Sequence, residues 1–160
     1  MRYVLIALAA AVTALLVGGC GSGELLEAVK AGDAAAVEEL LGGGASPNMT
    51  GAGGYTPLHL ACEQGDVEIA RLLLGQGADI EAREDRGRVP LHMAAENGHL
   101  DVVRLLLANH AQAFVKDDRG RTPLHLAAQA NHTRITVVIG QAQQMQGTPS
   151  AAPPPRRGGG

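Results

Sequence analysis

Apolar residues recur along the chain at the i, i+3 and i+4 positions that fall on one face of a helix. The same triplet returns twice, each time after 33 residues. Its members are Ile69, Leu72 and Leu73, then Val102, Leu105 and Leu106, and finally Ile135, Val138 and Ile139. The pattern predicts three equivalent amphipathic helices whose apolar faces must be buried.

A second block has the same period and precedes each of these helices. It occupies Thr56–Ala61, Val89–Ala94 and Thr122–Ala127, with proline in second place and histidine in fourth. Proline suits the first turn of a helix, where its missing N–H has no helical partner, and the threonines can cap that helix. Each unit is therefore predicted to hold two helices. Since a unit this small cannot bury its apolar faces alone, the units must stack.

Glycine and charged residues separate the units, in Glu84–Gly87 and Asp117–Gly120. Glycine provides turn geometry at little steric cost, so these segments predict exposed turns, or fingers. The repeated block, its period and the Asp-Arg-Gly turns together resemble the ankyrin repeat. This resemblance covers residues 24–146 and implies an all-α fold, an ankyrin-repeat solenoid of stacked helix-turn-helix units with connecting β-turn fingers.

Four units are expected, at about residues 24–55, 56–88, 89–121 and 122–146. Glu27 and Glu39 stand at positions that are apolar in later units, which favours a first unit that acts as a polar cap. A Gln-rich segment, 141–146, marks the other cap. The remaining residues, 147–160, have no apolar periodicity and are rich in proline and glycine, which predicts a disordered tail.

Two residues replace glycine at positions where the repeat otherwise requires it. His110 stands in the place of Gly44 and Gly77, and Asn131 in the place of Gly65. These are helix C-terminal positions at which glycine commonly adopts a left-handed conformation. Because Asn and His are enriched among non-glycine residues with positive φ, we expect positive φ at both.

The N-terminus carries a targeting signal. Arg2 is followed by an uncharged apolar run, 4–17, which is too short to span a bilayer and suits a secretory signal. The run ends in Val17–Cys20, which resembles a bacterial lipobox. Residues 1–19 are thus predicted to be a lipoprotein signal peptide, and 20–23 a tether lipidated at Cys20. The alternative is an ordinary cleaved signal in which the cysteine is coincidental.

Gly21 after that cysteine resembles the sorting pattern of outer-membrane lipoproteins. The expected location is therefore the bacterial cell envelope, with a lipid anchor in the outer membrane and the repeats facing the periplasm.

Charge and aromatic content disfavour nucleic-acid binding. The formal net charge is −3, and removal of residues 1–19 with Arg2 makes it one unit more negative. Tyr55 and Phe114 are then the remaining aromatic residues, so the chain lacks both a basic stripe and a stacking surface. With Cys20 lipidated, a single thiol remains and no intramolecular disulfide can form.

The recurring histidines and Cys62 are candidate metal-binding or catalytic residues, but structural roles account for them. His59, His92 and His125 recur in line, but stacked units lie about 10 Å apart, too far for one metal ion. The resemblance implies that these histidines are structural hydrogen-bonding residues. Cys62 has alanines at its equivalent positions and suits a small core site. No catalytic residue, metal, cofactor or small-molecule substrate is expected, and an enzyme using this thiol or the histidines is the alternative of another class.

The resemblance also implies where a partner protein binds, along the finger tips and the outer side of each first helix. Carried over by register, this surface comprises Tyr55, Glu63, Gln64, Asp85, Arg86, Arg88, Glu96, Asn97, Asp118, Arg119, Arg121 and Gln129. The tyrosine and the arginines are the expected anchors, since such side chains dominate binding hot spots.

The sequence thus favours a non-catalytic protein–protein interaction module that binds a periplasmic partner. An alternative purpose is that of an immunity lipoprotein that neutralises a secreted toxin, and both purposes resemble uses of bacterial ankyrin proteins.

Overall fold

The computed structural model describes residues 22–147. The predicted signal peptide, the predicted lipidation site Cys20 and the predicted tail from residue 148 onwards lie outside the described residues. Eight α-helices occupy the described part of the chain, and no strand is found there. They are α1 (Ser22–Ala31), α2 (Ala34–Gly42), α3 (Pro57–Gln64), α4 (Val67–Gly75), α5 (Pro90–Asn97), α6 (Leu100–Ala108), α7 (Pro123–Gln129) and α8 (Thr133–Gln146). A short 3-10 turn, Ala52–Gly54, follows the first pair.

The helices form two layers. The first helices of successive units pack on one another in the order α1, α3, α5 and α7, and the second helices in the order α2, α4, α6 and α8. This is the all-α stack of helix pairs that the 33-residue period predicts. None of the described helices is long and apolar enough to cross a membrane.

The first helices of units two, three and four begin at the proline of the repeated block, as predicted. The hydroxyl oxygen of Thr56 accepts the backbone N–H of His59, and Thr122 does the same for His125. Val89 has no hydroxyl, and the N–H of His92 donates instead to the carbonyl of Val89 at 2.9 Å. The third unit thus keeps its helix start without the side-chain cap.

The core lies between the two layers. Leu58 and Leu91 of the first helices are fully buried, as are Leu73 and Leu106 of the second helices. Burying each of these side chains contributes about 1.5 to 3 kcal/mol. Because every unit places these residues at the same positions, the core is continuous along the stack.

A glycine and a histidine interlock neighbouring units. Gly65 has φ of 83° and ends α3, and the ring of His99 from the next unit lies directly against it. A Cβ at Gly65 would come within 2.6 Å of Cε1 of His99. The histidine Nε2 also bonds to the carbonyl of Glu63 at 2.9 Å. His132 repeats the arrangement on Gly98.

The two predicted glycine substitutes do adopt positive φ. His110 has φ of 66° and Asn131 has φ of 60°, and they are the non-glycine residues with positive φ within the described chain. Gly77, which matches His110, has φ of 83°. The left-handed turn was therefore kept when glycine was replaced.

Polar residues lie at both ends of the stack. Glu27 and Glu39 are exposed on the first unit, as expected of a cap. At the other end α8 extends to Gln146, whose amide nitrogen donates to the carbonyl of Ala111 at 2.8 Å and whose amide oxygen accepts the N–H of Ala113 at 2.9 Å. The Gln-rich segment thus satisfies the backbone of the preceding loop.

The first helix begins at Ser22, two residues before the expected start of the repeats at residue 24. Neither Ser22 nor Gly23 blocks a helical backbone, and sequence signals place helix ends to within one or two residues. The predicted tether is shorter as a result.

Candidate protein-binding surface

The fingers owe their shape to an acidic residue and a glycine. The first, second and third fingers comprise residues 51–54, 84–87 and 117–120. In the second finger, Oε1 of Glu84 accepts the backbone N–H of Arg86 at 2.9 Å, and the N–H of Gly87 donates to the carbonyl of Glu84 at 2.8 Å. Gly87 has φ of 70°, which only glycine adopts readily. In the third finger, Asp117 and Gly120 make the same bonds.

Neighbouring fingers are joined by one backbone hydrogen bond. The N–H of Asp118 donates to the carbonyl of Arg86 at 3.0 Å, and the N–H of Asp85 donates to the carbonyl of Gly53 at 3.0 Å. The carboxylate of Asp118 covers Gly87, where an added Cβ would lie 2.9 Å from its Cγ. The finger tips therefore form a fixed row.

Arg88 does not lie on the exposed surface, and the structure corrects its predicted place there. It is 7% exposed. Its Nε bonds to Glu84 at 3.1 Å, its Nη1 to Glu96 at 3.1 Å and its Nη2 donates to the hydroxyl of Tyr55 at 3.0 Å. All three guanidinium nitrogens thus make internal hydrogen bonds. Arg88 therefore fixes the second finger to α5 and is not available to bind a partner.

The acid–base pairs of the fingers shift the pKa of their carboxylates. Burial alone would raise the pKa of Glu84, but the hydrogen bonds from Arg88 outweigh it and leave that pKa below its ordinary value. Asp117 shows the same balance with Arg121, whose guanidinium lies 2.8 Å away. Both carboxylates are therefore ionised structural partners at neutral pH.

Five charged residues at the finger tips and on the outer side of α3 are exposed. They are Glu63, Asp85, Arg86, Asp118 and Arg119. Within residues 22–147, the guanidinium groups of the two arginines make no hydrogen bond or ion pair. These groups are accordingly available to a partner.

The remaining predicted surface residues differ in how far internal bonds engage them. Tyr55 is half-buried, and its ring meets that of His59 edge-on at 5.8 Å between centroids. Gln64 donates to the carbonyl of Lys30 at 2.9 Å, and Asn97 to that of Met93 at 3.0 Å. Gln129 is exposed on α7.

The block histidines are buried hydrogen-bonding residues in the two internal units. Nδ1 of His59 accepts the N–H of Thr56 at 3.2 Å, so Nε2 carries the proton and donates to the carbonyl of Arg88 at 3.0 Å. His92 bonds in the same way to the carbonyl of Arg121 at 3.1 Å. Burial lowers the pKa of both rings, which keeps them neutral and fixes each finger to the helix beneath it.

The part of the chain that the structure describes shows neither a metal cluster nor a reactive thiol. Among residues 22–147 no three metal-binding side chains come together. Cys62 lies on α3 and is fully buried, and burial raises the pKa of its thiol. A neutral, enclosed thiol is a weak nucleophile.

Two layers of helices edged by hydrogen-bonded fingers define a helical repeat solenoid, in which each unit contacts mainly its neighbours. A family model described as ankyrin repeats in three copies matches residues 25–117, and one described as a single ankyrin repeat matches residues 119–139. The chain therefore belongs to the ankyrin repeat family, and the predicted resemblance is confirmed. No curated protein matches the chain significantly. Ankyrin repeats indicate a protein–protein interaction module.

Proposed function

We propose that this protein is a non-catalytic binding module, anchored by lipid at the bacterial envelope, that holds a periplasmic protein on its fingers and first helices. The observation that carries the proposal is the row of exposed finger tips. Arg86 and Arg119 occupy equivalent positions, and each follows an exposed aspartate. Since internal bonds fix the backbone beneath these side chains, little backbone freedom is lost when a partner binds.

The membrane anchor is supported by the sequence around Cys20 and by the start of α1. Gly21 alone separates this cysteine from Ser22, the first helical residue. One residue of extended chain spans at most about 3.6 Å. An acylated Cys20 would consequently bring the first unit close to the lipid headgroups, with the fingers of units two and three further out.

The anchor is tested by Cys20→Ser, with Cys62→Ala as the matched control. Acyl chains contribute about 0.8 kcal/mol per buried CH₂, so loss of the acylation site should release the protein from the membrane fraction or leave it unprocessed. The control removes a thiol that is fully buried and has alanine at its equivalent positions, so fractionation should not change. Normal processing and membrane association of Cys20→Ser would disprove the anchor.

The same surface would serve an immunity lipoprotein, because capture of a toxin needs the same exposed side chains. The identity of the bound protein separates the two purposes. An enzyme that uses Cys62 would instead label quickly with a thiol reagent in its native state, whereas a binding module with a buried thiol should label only on unfolding.

A further inference from the structure

The fourth unit carries a surface that its predecessors use for stacking. Leu91 and Ala95 of the third unit are fully buried, and the first helix of the fourth unit packs against the helix that carries them. At the equivalent positions of the fourth unit, Leu124 is partly buried and Ala128 is exposed. The described chain thus ends on a face whose equivalent in the third unit is buried.

The edge of the last finger is open as well. The carbonyl of Arg86 receives the N–H of Asp118, whose carboxylate covers Gly87. The matching carbonyl of Arg119 receives no such bond within residues 22–147. Gly120 likewise has no atom within 4 Å of where its Cβ would stand.

A histidine adds a fixed donor next to this edge. Nδ1 of His125 accepts the N–H of Thr122 at 3.2 Å, so its Nε2 carries the proton. In His92 that atom donates to the carbonyl of Arg121 in the following finger. His125 is exposed, and its Nε2 has no hydrogen-bond partner among residues 22–147.

The sequence that follows the fourth unit does not match the missing finger. Continuing the 33-residue register places Pro153 where Gly120 stands, and proline fixes φ near −65°, which excludes the positive φ of this turn. A second copy offers no better candidate. In the second and third fingers of that copy, the N–H groups of Asp85 and Asp118 already donate to the preceding finger. Its first finger has Ala52 at the equivalent position, so it lacks the carboxylate.

We propose that this stack-end surface, made of Arg119, Gly120, Leu124, His125 and Ala128, binds an acidic turn of a partner protein. The internal fingers define its chemistry. An aspartate N–H donates to the carbonyl of Arg119, the aspartate carboxylate covers Gly120, and a carbonyl three residues later accepts from His125. The site shares Arg119 and Gly120 with the last finger, but it uses the backbone edge of that finger, and binding there does not require a partner on the row of finger tips.

Charge supports an acidic occupant. From Arg119 onwards the chain contains no Asp or Glu, and Arg119 and Arg134 are exposed on this end of the stack. Complementary charges steer association, so this end of the stack favours an acidic partner.

The test uses a head-to-tail cyclised peptide with the turn Glu-Asp-Ser-Gly-Ser, and a control peptide with Asn in place of Asp. Both are titrated into the ¹⁵N-labelled full chain, and amide shifts are followed by NMR. The acidic peptide should shift Gly120, Leu124 and His125 and bind several-fold more tightly than the control peptide. Added salt should weaken its binding.

Two variants test where on the protein the acidic peptide binds. Ala128→Glu adds a like charge on the stack-end surface and should abolish binding of the acidic peptide. Ala35→Glu makes the same change at an exposed helical position of the first unit and should leave binding unchanged. Equal affinity for the two peptides, absence of binding, shifts confined to other fingers, or equal effects of the two variants would overturn the proposal.

Discussion

Replacing Gly65 by alanine should destabilise the stack more than the same replacement at Gly77. The two glycines have the same φ of 83°, so an alanine at either site incurs the same left-handed penalty of about 1 to 2 kcal/mol. Their surroundings differ. Nothing lies within 4 Å of a Cβ at Gly77, whereas a Cβ at Gly65 would meet the ring of His99.

The difference between the two losses in free energy of unfolding measures the contact of Gly65 with His99 of the next unit. A Cβ 2.6 Å from Cε1 of His99 forces the ring away and breaks its 2.9 Å bond to the carbonyl of Glu63. Losing such a bond costs about 0.5 to 1.5 kcal/mol. Gly65→Ala should therefore lower the free energy of unfolding by about 2 to 3 kcal/mol, and Gly77→Ala by about 1 to 2 kcal/mol.

Urea unfolding followed by circular dichroism gives both free energies. The slope of the free energy against urea concentration should be the same for both variants, which shows that the same cooperative unit unfolds. A second pair of proteins, His99→Ala with and without Gly65→Ala, separates the backbone penalty from the contact with the ring. In a His99→Ala background the ring is absent, so adding Gly65→Ala should cost no more than Gly77→Ala costs in the parent protein. Equal losses for the two glycine variants in the parent, or an undiminished loss without the ring, would refute the interlock.

Three further outcomes are expected. In chemical denaturation, His110→Gly should leave the free energy of unfolding unchanged or raise it, and His110→Val should lower it by about 1 to 2 kcal/mol. A valine variant as stable as the parent would contradict the positive φ. Arg88→Ala should lower the free energy of unfolding by about 3 kcal/mol, because it leaves a buried carboxylate unpaired. Arg86→Ala should lower it by less than about 1 kcal/mol. Similar melting temperatures for the two variants would contradict the buried ion pair. Burial lowers the pKa of His59 and His92, so the unfolded chain takes up protons first. Stability should be full above the ordinary histidine pKa of about 6.5 and should fall as the pH is lowered below it; a melting temperature that stays flat below that pH would be the contrary result.

The repeated features of the fold could be predicted because each unit carries its own local signals. The apolar triplets, the threonine–proline starts and the substitutes at His110 and Asn131 each depend on backbone geometry within one unit. Comparison of units at a fixed period then shows which positions are equivalent. The expected fold and the two positive φ angles followed from this and were confirmed.

Contacts between units were harder to predict, as Arg88 illustrates. Its partners are Glu84, Glu96 and Tyr55, and the last lies 33 residues away, so burial depends on how two units meet. One signal was present, since the acid four residues before this arginine returns as Asp117 before Arg121. The interlock of Gly65 with His99 was missed for the same reason, because neither residue signals the other locally.

The central claim, that a partner binds through the finger tips, is tested most directly by site-specific photo-crosslinking in cells. A photoreactive residue replaces Arg86 or Arg119 on the fingers, or Arg71 or Arg104 on the second helices. All four arginines are exposed, so accessibility is matched. We expect the same discrete crosslinked protein from both finger positions and none from the second helices. Crosslinks from the second helices alone, or equally from all four positions, would contradict the account.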